Sequence, residues 1–195
     1  WMTVPSDEQA VKVAKFLGML TADGHISRTN YVIGLTKNDD GVRAEFKGLL
    51  LELFGLTARE IEDARNGVKG VTIGSKYLMQ WLDGVGFTKD HVPDFVLGGS
   101  RAACLAYLSG LYLDGWVTKQ GPAISQKRHS LLLDVQLIWD NLGVGTYFTD
   151  NVVNDVNYEV MNVYSFSRKE ACELVEWMEP HKRQRATEVV NNDRR

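Results

Sequence analysis

Two aspartates, Asp23 and Asp114, each precede a glycine and each close an apolar run, FLGMLTADG and YLSGLYLDG. Brought together, two carboxylates make a site for a hard divalent cation. Magnesium prefers oxygen ligands and keeps several waters, so one or two carboxylates and a substrate's phosphate oxygens suffice to hold it. Such an ion activates water and stabilises a leaving oxygen, which is the chemistry of phosphodiester cleavage. One aspartate in each half of the chain is also what cutting two antiparallel strands requires. A carboxylate at a helix C-terminus is disfavoured by the helix dipole, a cost that a bound cation offsets. A single Asp-Gly is an ordinary turn; two of them after matching apolar runs argue for a paired site.

The elements that must position the pair come from an internal repeat. FLGMLTADGHI (16–26) and YLSGLYLDGWV (107–117) align without gaps at an offset of 91 residues. Each is followed by a polar, basic, β-like run, then a helical segment closing on glycine, VRAEFKGLLLELFG (42–55) and SLLLDVQLIWDNLG (130–143). Each unit ends in a β-rich piece and an amphipathic helix, with Trp81 and Trp177 in similar places. The order predicted for each unit is helix–strand–strand–helix–strand–strand–helix. KDHVPDFVLGGS (89–100) carries a proline and paired glycines without periodicity. We therefore divide the chain into an N-terminal repeat (1–92), a linker (93–100) and a C-terminal repeat (101–195).

The opening helices are apolar on most faces, through Val13, Phe16, Leu17 and Leu20 in one and Leu105, Leu108, Leu111 and Leu113 in the other. Helices of that kind are buried. Gly18 and Ser109 occupy matching positions, where small residues let two backbones approach. Gly24 and Gly115 are expected to end each helix in the left-handed conformation. The pattern predicts two helices packed side by side, with both aspartates emerging at one end.

Composition sets the wider limits. With 44% hydrophobic residues the chain is an ordinary globular protein. It has no apolar stretch of about 18 or more residues to cross a membrane and no secretory pattern at its start. Cys104 and Cys172 are expected as buried thiols in a reducing compartment, so an intracellular location (cytoplasm or nucleoid) is expected. The net charge is −3, yet segments 24–37 and 115–129 carry cations and no acid, as does 64–76, while Glu170, Glu173, Glu176 and Glu179 gather in a helical stretch. A basic sheet backed by acidic helices suits a polyanion, because local field outweighs total charge.

FLGMLTADG and YLSGLYLDG resemble the paired signature of the LAGLIDADG homing endonucleases, two-motif single-chain type. VPDFVLGGSRAACLAYLSGLYLDG and ISQKRHSLLLDVQLIWDNLGV resemble the intein-associated branch, and the likeness runs over about residues 12 to 180. The resemblance implies an α+β fold of two pseudo-twofold related αββαββα repeats. Saddle-shaped antiparallel sheets would grip the DNA, with the signature helices at the centre. It implies a monomeric, site-specific nuclease that cuts both strands of a long asymmetric duplex and leaves short 3′ overhangs. Magnesium is the implied cofactor, manganese substituting and calcium binding without supporting cleavage. The setting implied is a chain embedded in an intein or encoded in an intron. Trp1 and the closing NNDRR supply no splicing residues, so the chain by itself is not expected to splice.

Carried over by position, the last acid of each signature is Asp23 and Asp114, the expected metal ligands. Family members place a lysine near the end of each repeat's second strand, here Lys37 in GLTKND and Lys127 in ISQKRH, with Gln126 as a water-positioning neighbour. A cation there stabilises developing phosphate charge. The usual aspartate two positions earlier is Thr21 in one half and Tyr112 in the other. The second motif reads GLYLDG where GLIDADG is usual, so either one residue is missing or Ser109 takes the small-residue position.

The strands after each signature alternate as a sheet with one wet face would. Expected DNA contacts are Arg28, Asn30, Lys69, Thr72 and Lys76 in the first half. In the second they are Lys119, Gln120, Ser125, Arg128, Ser165 and Arg168. A competing reading is a non-cleaving relative, either a transcription regulator or an RNA maturase. The retention of both aspartates counts against it, since a pure binder has no need of two anions facing a phosphate.

Overall fold

The computed structural model describes residues 7–64, 67–118, 121–153 and 156–164, together with 171, 174, 178 and 182–184. Helices α1 (Asp7–Asp23) and α5 (Arg101–Leu111) pack on each other more extensively than any other pair of elements. The reason lies in their apolar surfaces: Phe16, Leu17, Met19 and Leu20 of α1, and Leu105, Leu108 and Leu111 of α5, are all buried.

Glycine sets how closely these helices approach. A Cβ on Gly18 would stand 2.2 Å from the Tyr107 carbonyl oxygen, and one on Gly110 would stand 2.6 Å from that of Lys15. The contacts are reciprocal. Gly18 faces Tyr107 and Leu111, while Gly110 faces Lys15 and Met19. Gly110, not the expected Ser109, is therefore the partner of Gly18. Ser109 instead accepts a hydrogen bond from Lys15 Nζ at 2.9 Å.

This pairing decides the reading of the second motif: one residue is missing between the helix contact and the aspartate. The consequence is local. Helix α1 runs through to Asp23, but α5 stops at Leu111. The chain then tightens through three-residue hydrogen bonds, from Leu113 N–H to the Gly110 carbonyl and from Asp114 N–H to that of Leu111, each 3.3 Å. Asp114 thus sits on a turn beyond its helix rather than at the helix end. Tyr112 anchors this turn, fully buried, its hydroxyl accepting from Trp139 Nε1 at 3.1 Å.

Gly24 and Gly115 also differ from expectation, since neither has positive φ. They are needed for space: a Cβ would lie 2.4 Å from the Leu20 carbonyl oxygen at Gly24 and 2.5 Å from Tyr112 Cδ1 at Gly115.

The rest of the fold is α+β, with two four-stranded antiparallel sheets of the same topology. The first, in order β1-β2-β4-β3, comprises β1 (Gly24–Ser27), β2 (Val32–Thr36), β3 (Arg59–Asp63) and β4 (Val68–Gly74). The second, in order β5-β6-β8-β7, comprises β5 (Trp116–Val117), β6 (Pro122–Gln126), β7 (Thr146–Val153) and β8 (Val156–Val163). Period-2 alternation separates their faces. Ile33, Leu35 and Val71 point into a core shared with Phe46 and Leu50 of α2 (Asp40–Phe54) and Leu78 of α3 (Lys76–Gly84). Ile124 and Met161 do the same toward α6 (His129–Asn141). The intervening residues, among them His25, Gly34, Arg59 and Thr72 in the first sheet and Trp116, Ser125 and Tyr158 in the second, lie on the opposite faces.

Local signals start and stop the helices as the sequence suggests. The Asp39 carboxylate accepts from the Val42 amide at 2.9 Å, and Gly55 closes α2 with φ of 65°. A short helix, α4 (Asp94–Leu97), connects the repeats and packs on α5 and α6. The closing helix expected in the second repeat, with its glutamates, Trp177 and Cys172, lies largely outside the described residues. Cys104 is a buried free thiol. Among the described residues no helix is long and apolar enough to cross a membrane.

Candidate active site

The packing of α1 on α5 brings Asp23 and Asp114 close enough for each to act on the ionisation of the other. One side of Asp114 is open to solvent, yet its carboxyl pKa is pushed up to about 6. Burial of the other side is the largest cause, followed by the hydrogen bond to Asp23 and the repulsion of its charge. Lys37 and Lys89 pull the other way. A proton shared between two crowded acids is the expected state of such a pair when no cation sits between them.

Lys37 lies just beyond β2 and reaches back across the molecule. Its ammonium donates to Asp23 Oδ2 at 2.6 Å and to the Leu113 carbonyl at 2.9 Å, so it links the first carboxylate to the backbone of the second repeat. Among the described residues no cluster of three or more acidic, histidine or cysteine side chains is poised for a metal. The donors that fit one are the two carboxylates. Their oxygen-only chemistry and their mutual repulsion suit a hard cation that takes its remaining ligands from water and phosphate.

The strand register shows which residue answers Lys37 in the second half. Gly24 faces Leu35 and His25 faces Gly34, while Trp116 faces Ala123. Counting along β2 and β6 from these pairs makes Ile124 the counterpart of Leu35 and Gln126 the counterpart of Lys37. Lys127 is one residue further on and turns to the other face. It is exposed, with its ammonium 5.1 Å from the Tyr158 ring centroid. The register thus brings Gln126 to the Lys37 position and does not bring Lys127 there.

Two further lysines surround the pair, and sequence reasoning missed both. Lys89 Nζ donates to the carbonyls of Gly24 at 2.6 Å and Ala22 at 3.4 Å. Lys182 Nζ donates to the carbonyls of Tyr112 at 2.5 Å and Leu113 at 3.0 Å. Lys89 follows α3, and each lysine caps the backbone around the aspartate of its own repeat, where helix carbonyls lack partners. Burial lowers the Lys89 pKa, as does Arg128, while Asp114 and Asp23 raise it. Only the shared location, in GFTKDH and EPHKRQ, could have flagged the two. His25, next to Gly24, was also missed; burial first and then Lys89 lower its pKa.

The other expected contacts are dispersed. Arg28 and Asn30 are exposed on the β1–β2 turn, Arg28 paired with Asp83 at 2.9 Å. Lys76 lies over the Tyr31 ring on the same turn, 5.8 Å from its centroid. Thr72 is on the face turned from the helices but is buried, and Lys69 is exposed on the opposite parity, facing Glu62. Ser125 is half-buried opposite Val160, and Arg128 is exposed and paired with Asp90 at 2.7 Å. Lys119, Gln120, Ser165 and Arg168 lie outside the described residues. Arg59, exposed opposite Thr72, is a cation of the open face absent from the expected set. A cavity of about 510 Å³ beside Gly24 is lined by Arg28, Lys89 and Arg128.

Comparison with known proteins supports the geometry at the level of fold. Residues 10–83 match the family model described as LAGLIDADG-like domain. No curated protein matches the chain. Among solved structures, a mesophilic variant of the homing endonuclease I-DmoI is similar with a TM-score of 0.65 at 18% identity, covering 89% of this chain and 97% of that one. I-DmoI in complex with DNA and Mn gives 0.63 at 18% identity, covering 87% and 97%. Full-length DUF199/WhiA from Thermatoga maritima gives 0.66 at 13% identity, covering 98% of this chain and 63% of that one. The chain has the LAGLIDADG fold.

Proposed function

We propose that this chain is a metal-dependent DNA endonuclease of the homing type, cutting both strands of a long asymmetric duplex and leaving short 3′ overhangs. The observation that carries the reading is the meeting of two carboxyl groups from different repeats at one end of the α1–α5 pair, where Lys37 joins Asp23 to the Leu113 carbonyl beside Asp114. Asp23 and Asp114 hold the cation, magnesium or manganese, which when bound supplies an activated water and neutralises the leaving oxygen. Solved complexes of the similar I-DmoI contain DNA with Mn or with Ca, in keeping with an oxygen-seeking ion here.

Each half contributes its own surroundings. Lys37 stabilises charge on one scissile phosphate, and Gln126 positions water at the other. Lys127, on the open face of the second sheet, is a phosphate contact of that half. Arg28, Asn30, Lys69, Thr72, Lys76, Ser125 and Arg128 contact the DNA. So do Lys119, Gln120, Ser165 and Arg168. The protein acts as a monomer of two repeats joined through residues 93–100, within an intein or from an intron.

A second reading has one specific observation in its favour. The Lys37 ammonium sits on Asp23 at 2.6 Å and satisfies that carboxylate without a metal, as a DNA- or RNA-binding relative that no longer cuts would require. Cleavage selection on a randomised duplex library with magnesium separates the two. The nuclease reading expects a cut sequence, lost in both Asp23→Asn and Asp114→Asn while binding persists. Enrichment of bound but uncut duplexes by the wild type supports the binder instead.

A further inference from the structure

We infer that His25 and Trp116 form a pair of rings, one on each side of the two carboxylates, that presses on the base pairs between the two cut positions and selects them by deformability. The inference rests on the DNA-cleaving reading above and adds the residues that choose the centre of the target.

Each ring stands two residues beyond its aspartate, at the start of the strand that leaves the paired helices. Strand rise is about 3.3 Å per residue, so both rings remain close to the carboxyl pair. The register puts both on the sheet faces turned away from the helices, opposite the small residues Gly34 and Ala123. On the His25 side the fit is tight. A Cβ at Gly34 would lie 2.4 Å from His25 Cε1 and 2.5 Å from Nε2, so the imidazole lies across β2 in a slot that only glycine leaves open. Trp116 is 39% exposed, a large apolar surface beside a site otherwise built from charges.

Aromatic surface at this location, exposed at Trp116 and half-buried at His25, has a physical use on a duplex. With one scissile phosphate at each carboxylate, the rings meet whatever lies between the cuts. Flat apolar groups wedged against base steps unstack them, at a cost that depends on the step. Pyrimidine–purine steps yield most easily, so the pair would prefer them without reading hydrogen-bonding edges. The rings differ in size, so the two sides of the centre are selected unequally.

The test is selection of bound duplexes from a randomised library in calcium by the wild type, His25→Ala, Trp116→Ala and Trp116→Phe. The wild type should enrich pyrimidine–purine steps at the centre. Each alanine variant should lose that central preference by about tenfold, the size of one base-pair discrimination, while flanking preferences stay. Trp116→Phe should retain most of it. Should an alanine variant bind nothing, His25→Phe and Trp116→Phe decide by whether the central preference changes at constant flanks. An unchanged central preference in all variants overturns the inference and leaves the nuclease reading intact. No enrichment by the wild type removes both.

Discussion

Gln126 occupies in the second sheet the register position that Lys37 occupies in the first, so the two carboxylates have unlike neighbours. Lys37 holds Asp23 at 2.6 Å through a full positive charge, whereas the equivalent position of the second sheet carries the neutral amide of Gln126. Removing one donor aimed at developing oxyanion charge costs about 10²–10³ in rate. Lys37→Met is therefore expected to slow one strand by about that factor and to accumulate a nicked intermediate. Gln126→Lys is expected to alter the other strand. End-labelled duplexes, each strand followed separately, report both.

The pH dependence follows from Asp114, whose carboxyl is raised from the ordinary aspartate range to about 6. An acid with a raised folded pKa binds its proton more tightly folded than unfolded, so folding stability declines as pH rises from about 4 to 6. Asp114→Asn should flatten that slope in denaturant titrations at several pH values. Divalent-ion binding runs the opposite way, since the metal needs the ionised carboxylates. Its affinity should climb over the same window and level off above it.

Lys89 lowers the Asp114 pKa through its charge while capping the Gly24 and Ala22 carbonyls. Lys89→Met should raise the Asp114 midpoint, measurable by carboxyl NMR titration. It should also cost about 1.5–3 kcal/mol of stability, the range for a hydrogen bond to a charged group. A midpoint that stays or falls would show that Lys89 does not act on the pair.

Gly18 and Gly110 hold the helices at backbone contact. Gly18→Ala drives a methyl group to 2.2 Å from the Tyr107 carbonyl oxygen, and the helices must part. The expected loss is about 1–3 kcal/mol, the usual cost of overpacking, with a larger loss of cleavage because the carboxyl groups separate. Chemical denaturation and cleavage rates on one preparation check this. Ser109→Ala, by contrast, removes the bond from Lys15 and the one to the Ala106 carbonyl, leaves the helix contact itself intact, and should be mild.

Much of this architecture was legible in the residues. The repeat of FLGMLTADG in YLSGLYLDG announced both the paired helices and the paired acids, because burial on all sides leaves an unmistakable apolar run. The strands and their alternation followed from period 2. What the alignment left open was a deletion in the second motif. An ungapped match at offset 91 keeps Asp23 on Asp114 but slides Gly18 onto Ser109, and only the reciprocal helix contacts reveal Gly110. The same blindness affected Lys127. Strand parity flips with one residue, and counting from the signature could not settle which of Gln126 and Lys127 turns inward. Lys89 and Lys182 were illegible for another reason, since they reach the site from the far ends of their repeats and carry no local motif.

The most direct test of the central claim is a crystal of the selected duplex complex grown with manganese, read by anomalous scattering. Manganese is expected within coordination distance of both Asp23 and Asp114 and of a phosphate oxygen. Manganese bound elsewhere, or two carboxyl groups drawn apart with the duplex touching neither, would contradict it.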